Sequence, residues 1–227
     1  MYTPGKKKIY MHTYVKAVKT IASRYAPSRV LSFSEVHVLK ALQLMKDNER
    51  ISRVLLCQEL GLGEGAVKTL IKHMKMNGMI ETSNGGTKMT TKGKGICMEL
   101  TSSIPAETSL PKCSIALGKF NHAVLLKALG FSIKSGIEQR DAAIRMNAIG
   151  ATTLLFKDNK LVMPTDPNKD SLKAEPDIGR LLIEKLNPAE DDVIIIGSAD
   201  SGHRTAELAA KNAALMTLVS HESHVRG

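Results

Sequence analysis

The sequence predicts an α+β protein with two domains, a helical one that carries a β-hairpin and a small two-layer α/β sandwich. Apolar residues recur at helical spacing through most of the first 100 residues, whereas short strand and helix patterns alternate after residue 117. The charge divides similarly, since residues 1–100 hold 17 of the 32 Lys and Arg but only 7 of the 22 Asp and Glu. The rest of the chain holds 15 of each, so the net charge of +10 belongs to the first part.

Residues 1–30 predict a basic amphipathic helix that ends at Pro27. Its apolar face is marked by residues that step by three or four: Tyr10, Tyr14, Val18, Ile21 and Tyr25. Such a helix can lie on a membrane, bind DNA, or pack on its own domain or on a second subunit. Packing or dimerisation is the commonest of these uses.

Residues 31–103 predict a second segment built from four helices and a β-hairpin. Ser34 caps a helix that runs to about Asn48, and a short strand is expected at Ile51. Ser52 caps the next helix, which ends at Gly61. Its expected inward residues are Val54, Leu55 and Leu60. A third helix runs from about Glu64 to Asn77, and its inward residues are Val67, Leu70, Ile71 and Met74.

A β-hairpin is predicted next, because 79–82 and 87–90 flank the turn sequence Asn84-Gly85-Gly86. A closing helix begins at about Lys92. This succession resembles the winged helix-turn-helix proteins of bacterial and archaeal transcription over residues 30–103. The resemblance implies that helix 64–77 enters the major groove of DNA and that hairpin 80–90 lies along the backbone or the minor groove.

Basic residues follow the exposed side of the third helix and continue into the hairpin. The predicted DNA-binding residues are Lys68, Thr69, Lys72, His73, Lys75, Lys88, Lys92 and Lys94. The first turn of the helix, Gly63-Glu64-Gly65-Ala66, offers no bidentate donor to a base. We therefore expect modest direct reading of sequence, dependent on Thr69, His73 and DNA shape. Because these donors are missing, RNA or protein remains an alternative partner.

Residues 104–116 predict a linker, since serine and proline are frequent there, and 117–227 predict the second domain. We expect strands at 121–129, 151–156, 160–163 and 193–196, the last buried on both faces. Helices are expected from a Ser135–Glu138 capping box to Asn147, from Pro176, and over 201–218. The order suggests a split β-α-β arrangement. With stretches 135–144 and 150–154, the chain resembles archaeal two-domain proteins whose C-terminal domain has no assigned function.

Two places in the second domain are candidate ligand sites. The first lies between the buried strand and the last helix, where free backbone N–H groups can hold an anion, and includes Ser198, Asp200, Ser201 and Gly202. Asp200 favours a hydroxyl or amine ligand there. The second comprises Glu138 and Arg140. An ordinary capped loop and a helix-capping role for Glu138 are the structural alternatives.

We identify no catalytic triad, phosphate-binding loop or dinucleotide motif, so we expect neither an enzyme nor a cofactor. The three cysteines lack metal-site spacing, and no apolar run approaches the ~18 residues of a membrane span. The sequence therefore predicts a cytoplasmic, homodimeric transcriptional regulator that binds duplex DNA. Its second domain is expected to dimerise, to bind a small effector, or both. An RNA- or ribosome-associated module is the alternative.

Overall fold

A computed structural model describes residues 7–24 and 30–224 of the chain, and the side chains of 14–24 and 30–220. The chain divides after Thr101 into two compact units, each with its own apolar core. We call them the N-terminal unit and the C-terminal unit. Within the described ranges, no helix has the length and apolar character that crossing a membrane requires.

In its described residues, the N-terminal unit contains four helices, a two-stranded antiparallel hairpin, and most of a fifth helix. Its elements are α1 (Lys7–Ile21), α2 (Glu35–Asp47), α3 (Arg53–Leu60), α4 (Glu64–Met76), β1 (Ile80–Ser83), β2 (Gly86–Met89) and α5 (Thr91–Ser103). Capping fixes several ends. The Ser52 hydroxyl accepts from the amide of Leu55 at 3.1 Å, and Gly61 ends α3 in the left-handed conformation.

The core of this unit confirms most of the predicted inward positions. Val67, Leu70 and Met74 of α4 are fully buried. The prediction for α3 was wrong in one respect, because Val54 is 63% exposed and Leu56 is buried in its place. An eight-residue helix carries too few apolar positions for their spacing to fix its inward face.

Helix α1 packs within the N-terminal unit, against α2 and α4. Tyr14, Val18 and Ile21 are each at most 2% exposed, so the predicted apolar face is confirmed for these three residues. The helix ends at Ile21 rather than at Pro27, which lies outside the described residues, as do the side chain of Tyr10 and Tyr25. Of the four uses considered for this helix, the structure shows packing on its own domain.

A reciprocal cap begins α2, where His37 occupies the third helical position. The amide of Ser34 donates to His37 Nδ1 at 3.1 Å, and the amide of His37 lies in turn near the Ser34 side chain. Burial, together with the charge of Lys40, lowers the pKa of His37 from 6.5 to about 4. The cap therefore contains a buried histidine that is neutral near pH 7.

The C-terminal unit is built on one six-stranded antiparallel sheet. Its elements are β3 (Glu107–Leu110), β4 (Phe120–Leu126), α6 (Ile137–Ile144), β5 (Gly150–Lys157), β6 (Lys160–Met163), β7 (Asp166–Asp170), α7 (Pro176–Leu186), β8 (Val193–Ala199) and α8 (His203–His224). The strand order is β3-β4-β8-β5-β6-β7. Because β4 and β5 both pair antiparallel with β8, which lies between them, the split β-α-β arrangement is confirmed.

Helices cover both faces of this sheet, so the expectation of two layers was wrong. Ile194 and Ile196 of β8 belong to the core that α7 closes. The alternate residue Gly197 faces α8, where a Cβ would lie 2.4 Å from the carbonyl oxygen of Ala206. Every residue of β8 is buried, as predicted, and a strand buried on both faces needs a layer on each side.

Four further details differ from the predictions. The predicted linker 104–116 contains β3, which pairs with β4 from Glu107 to Leu110. Polar residues such as serine and threonine are compatible with a short strand at the edge of a sheet. Strand β7 was not predicted. The predicted capping box does not form, since Gly136 with a φ of 82° begins α6 and no side-chain cap is made. The helix also ends at Ile144, before Asn147.

Candidate nucleic-acid interface

A groove of about 420 Å³ lies between α4 and the hairpin of the N-terminal unit. Ser52 and Arg53 at the start of α3 form one wall, Lys68 and Ile71 of α4 form a second, and residues 82–87 of the hairpin form the third. Three separate elements thus converge on one open cleft. Its size falls within the range of roughly 300–1,000 Å³ that ligand sites occupy.

Contacts between the hairpin and the segment before α3 hold this groove in shape. The amide and carbonyl groups of Ile51 and Thr87 exchange two hydrogen bonds of 2.9 Å. Gly86 permits this approach, because it has a φ of 114° and a Cβ there would lie 2.9 Å from the carbonyl oxygen of Ile51. The strand expected at Ile51 is therefore a single bridge to the hairpin.

Lys68, Lys72 and Lys75 form an exposed line on α4, as their spacing predicts. Among the described residues, none of the three ammonium groups is in an ion pair or hydrogen bond. Thr69 lies beside this line and is half-buried, and its hydroxyl donates to the carbonyl oxygen of Gly65 at 2.9 Å. The three lysines are thus open to an outside anion, while the Thr69 proton is already committed to its own helix.

His73 does not belong to this surface, so its prediction as an exposed DNA-binding residue was wrong. It is buried, with Nδ1 2.9 Å from the carbonyl oxygen of Ile21 and its ring edge-on to Phe33 at a centroid distance of 5.5 Å. The cause lies in the helix geometry. His73 sits at the margin between the lysine line and the apolar face, and the end of α1 covers that margin.

The lysines beyond α4 differ in their availability. Lys88 pairs with Glu81 across the hairpin at 2.8 Å, and this hydrogen bond and charge lower the pKa of Glu81. Lys92 donates from Nζ to the carbonyl oxygen of Asn77 at 2.9 Å. Lys94 is exposed. The hairpin and α5 therefore supply less open positive charge than their lysine count suggests.

Sequence reasoning missed two arginines next to the groove. Arg53 is exposed on the α3 wall, and no described residue pairs with it. Arg50 donates from Nη1 to Ser83 Oγ at 2.9 Å, which holds its charge beside the hairpin turn. Their positions in the sequence could have indicated this, because they flank Ile51, the expected strand residue, and Ser52, the expected cap of the next helix.

The loop after β8 has ordinary structural contacts. Ser198 is buried within the sheet, and its carbonyl oxygen accepts from the amide of Ile149 at 2.8 Å. Asp200 accepts from the amide of Lys119 at 3.0 Å, and Ser201 bonds to Thr205 at 3.0 Å. Gly202 has a φ of 156° and accepts at its carbonyl from Ala206. These contacts match the capped-loop alternative, and they place no polar side chain in a cavity.

Glu138 and Arg140 are both exposed on α6 but do not share a site. Arg140 pairs with the neighbouring Asp141 at 3.0 Å. Glu138 lines a shallow depression of about 220 Å³ between α6 and α8. Gln139 beside it is buried and donates to Thr217 at 2.9 Å. The helix is therefore tied to α8 by Gln139, while the two predicted residues face solvent.

A buried ionic cluster joins α8 to the strands β3 and β4. Lys211, which is 2% exposed, lies 2.9 Å from Glu107 and 2.6 Å from Glu207. Burial raises the pKa of Glu107, but its interactions with His122 and Lys211 outweigh this and lower the pKa to about 2. These charged side chains pair with one another inside the unit, so the cluster holds α8 against the sheet. In the described ranges, no three His, Cys, Asp or Glu side chains are grouped to hold a metal.

Comparisons with known proteins bear on the fold. Residues 117–218 match the family model described as "Domain of unknown function (DUF4443)". The chain is similar to the solved structure of a hypothetical protein, PH0730, from the archaeon Pyrococcus horikoshii OT3. The two are 24% identical, with a TM-score of 0.63 over 85% of this chain and 95% of that one. No curated protein matches the chain. The expectation of a C-terminal domain without assigned function is thus confirmed.

Proposed function

We propose that the protein is a transcriptional regulator that binds duplex DNA through its N-terminal unit, used as a winged helix-turn-helix. In this proposal α4 enters the major groove, and the β1–β2 hairpin is the wing. The observation that carries the proposal is the open positive charge on one side of the unit. Lys68, Lys72 and Lys75 form a line on α4, and Lys68 and Arg53 continue it into the groove beside the hairpin.

The arrangement of these charges suits a polyanion. Lysines at i, i+4 and i+7 of a helix have Cβ atoms about 5–6 Å apart at each step, so their charges lie along one side of the helix. Among the described residues, no acidic side chain forms an ion pair with these three lysines, and the carboxylate of Glu81 in the hairpin is paired with Lys88. The C-terminal unit, whose sequence has no net charge, is proposed to dimerise or to bind an effector.

The sharpest test is competition between duplex DNA and structured RNA of equal length for the full chain. We expect duplex DNA to displace labelled RNA at lower concentration than the reverse, in fluorescence anisotropy at ~0.1 M salt. Tighter binding to RNA would favour the second candidate, an RNA-associated module. The absence of base-reading side chains in the first turn of α4 is what favours that candidate.

A triple variant, Lys68→Ala, Lys72→Ala and Lys75→Ala, tests whether the line itself binds. We expect affinity for duplex DNA to fall by at least about tenfold, because three phosphate contacts are lost. The matched control replaces three exposed lysines of the C-terminal unit by alanine: Lys157, Lys169 and Lys173. Equal losses in the two variants would mean that net charge alone drives binding, and would contradict the proposal.

A further inference from the structure

The groove beside the hairpin carries positive charge on more than one wall. Arg53 comes from α3 and Lys68 from α4, and neither has a partner among the described residues. Arg50 adds a third charge at the hairpin turn, where its Nη1 is fixed on Ser83 Oγ at 2.9 Å. Its side chain runs along the turn, with Cδ 3.7 Å from where a Cβ of Gly85 would lie. Cations from separate elements that line one groove fit a phosphodiester strand that passes through it.

The exposed side chains in the first turns of α4 offer little chemistry for reading bases. In the first turns of α4, Glu64 can accept only from a cytosine amino group, and Lys68 and Lys72 can donate to guanine but lack the rigid fork of an arginine. The Thr69 hydroxyl donates to its own helix. His73, the other residue on which direct reading was expected to depend, is buried.

The hairpin does not restore this missing recognition. Asn84 lies at its turn and lines the groove. A hairpin in the minor groove meets a degenerate pattern of donors and acceptors, which separates A·T from G·C pairs and little more. Affinity on this surface must therefore come mainly from the phosphate backbone.

From these observations we infer that the groove is a clamp for one sugar–phosphate strand of a duplex, and that the protein binds duplexes of many sequences with similar affinity. This inference rests on the duplex DNA binding of the proposed function, and it means that the protein would act on DNA without selecting one operator sequence. Proteins that read an operator through base edges prefer it by roughly 10³–10⁷ over other DNA. For this protein we expect a preference of no more than about tenfold, set by duplex shape.

The first experiment measures sequence preference with the full chain. Duplexes of equal length with shuffled, A-tract and G·C-rich sequences are titrated, and repeated selection is run on a randomised duplex library. We expect affinities within about tenfold and no consensus sequence after selection. A duplex bound more than about a thousandfold tighter than its shuffled counterpart would overturn the inference but leave DNA binding intact. Failure to bind any duplex would overturn the proposed function as well.

The second experiment assigns the role of Arg53. We expect Arg53→Ala to weaken binding to every duplex by a similar factor and to reduce the salt slope by about 0.9. The matched control is Lys46→Ala, an exposed cation in the last turn of α2 that does not line the groove, and it should leave binding unchanged. If Arg53→Ala instead changes the ranking of duplexes, the arginine reads bases, and the clamp is wrong. Thermal unfolding of both variants checks that the fold is retained.

Discussion

The attachment of the hairpin to the segment before α3 can be broken by one methyl group. Gly86→Ala would place a Cβ 2.9 Å from the carbonyl oxygen of Ile51, at a residue whose φ is 114°. The positive φ costs on the order of 1–3 kcal/mol for a non-glycine residue. If the hairpin moves away, the two hydrogen bonds with Thr87 are also lost, at about 1 kcal/mol each. We therefore expect the hairpin to open more easily by at least about 3 kcal/mol.

Amide hydrogen exchange measures this opening directly. A change of about 3 kcal/mol should speed exchange at the amide of Thr87 by roughly 100-fold. The control is Gly85→Ala, one residue earlier, where the nearest atoms to a new Cβ lie 3.7 Å away. Affinity for duplex DNA should fall in the Gly86 variant as well, because the hairpin forms one wall of the groove. If the two variants protect Thr87 equally, the hairpin does not depend on this close approach.

Three further changes test other parts of the structure. Gly197→Ala should destabilise the C-terminal unit by about 3 kcal/mol in urea unfolding, because its Cβ would lie 2.4 Å from the carbonyl oxygen of Ala206. The N-terminal unit should lose stability as the pH falls from 6.5 to about 4, because unfolding lets the buried neutral His37 gain a proton. His37→Gln should abolish this pH dependence in urea unfolding. Glu81→Gln should release Lys88 and steepen the salt slope of duplex binding by about 0.9.

Each of these predictions has a control or a result that would contradict it. Gly179→Ala in α7 places its Cβ at an ordinary 3.6 Å from Leu172, so an equal loss there would contradict the packing argument for Gly197. Because glutamine also suits the third position of a capping box, His37→Gln keeps the cap. An unchanged pH dependence would thus exclude the histidine as its source. Glu184→Gln in α7 makes the same charge change far from the hairpin in sequence, and equal strengthening would mean that net charge alone acts.

The sequence predicted the parts of the fold that local periodicity controls. The burial of Val67, Leu70 and Met74 follows from a 3.6-residue repeat, and the hairpin follows from its Asn-Gly turn. Strand β7 escaped prediction because four of its five residues are polar, the other is Pro167, and its residues are mostly exposed without alternation. Strand β3 escaped because a short edge strand can be as polar as a linker.

The candidate site was predictable in outline but not in its contacts. The spacing of Lys68, Lys72 and Lys75 was sufficient to place them on one line. The burial of His73 depends on α1, which is distant in sequence and covers α4 only in the folded chain. The pairing of Lys88 with Glu81 was available in principle, because a two-residue turn fixes the register that places them opposite each other. The groove itself requires three elements to converge, which periodicity does not report.

The central claim is that cations of the N-terminal unit bind the phosphates of duplex DNA, and the salt dependence of binding tests it most directly. With the four open cations of α3 and α4, Arg53, Lys68, Lys72 and Lys75, the observed association constant should fall with salt at a log–log slope of about −3.6. Participation of Arg50 would bring the slope to about −4.5. A slope near zero, or no detectable binding at ~50 mM salt, would contradict the account.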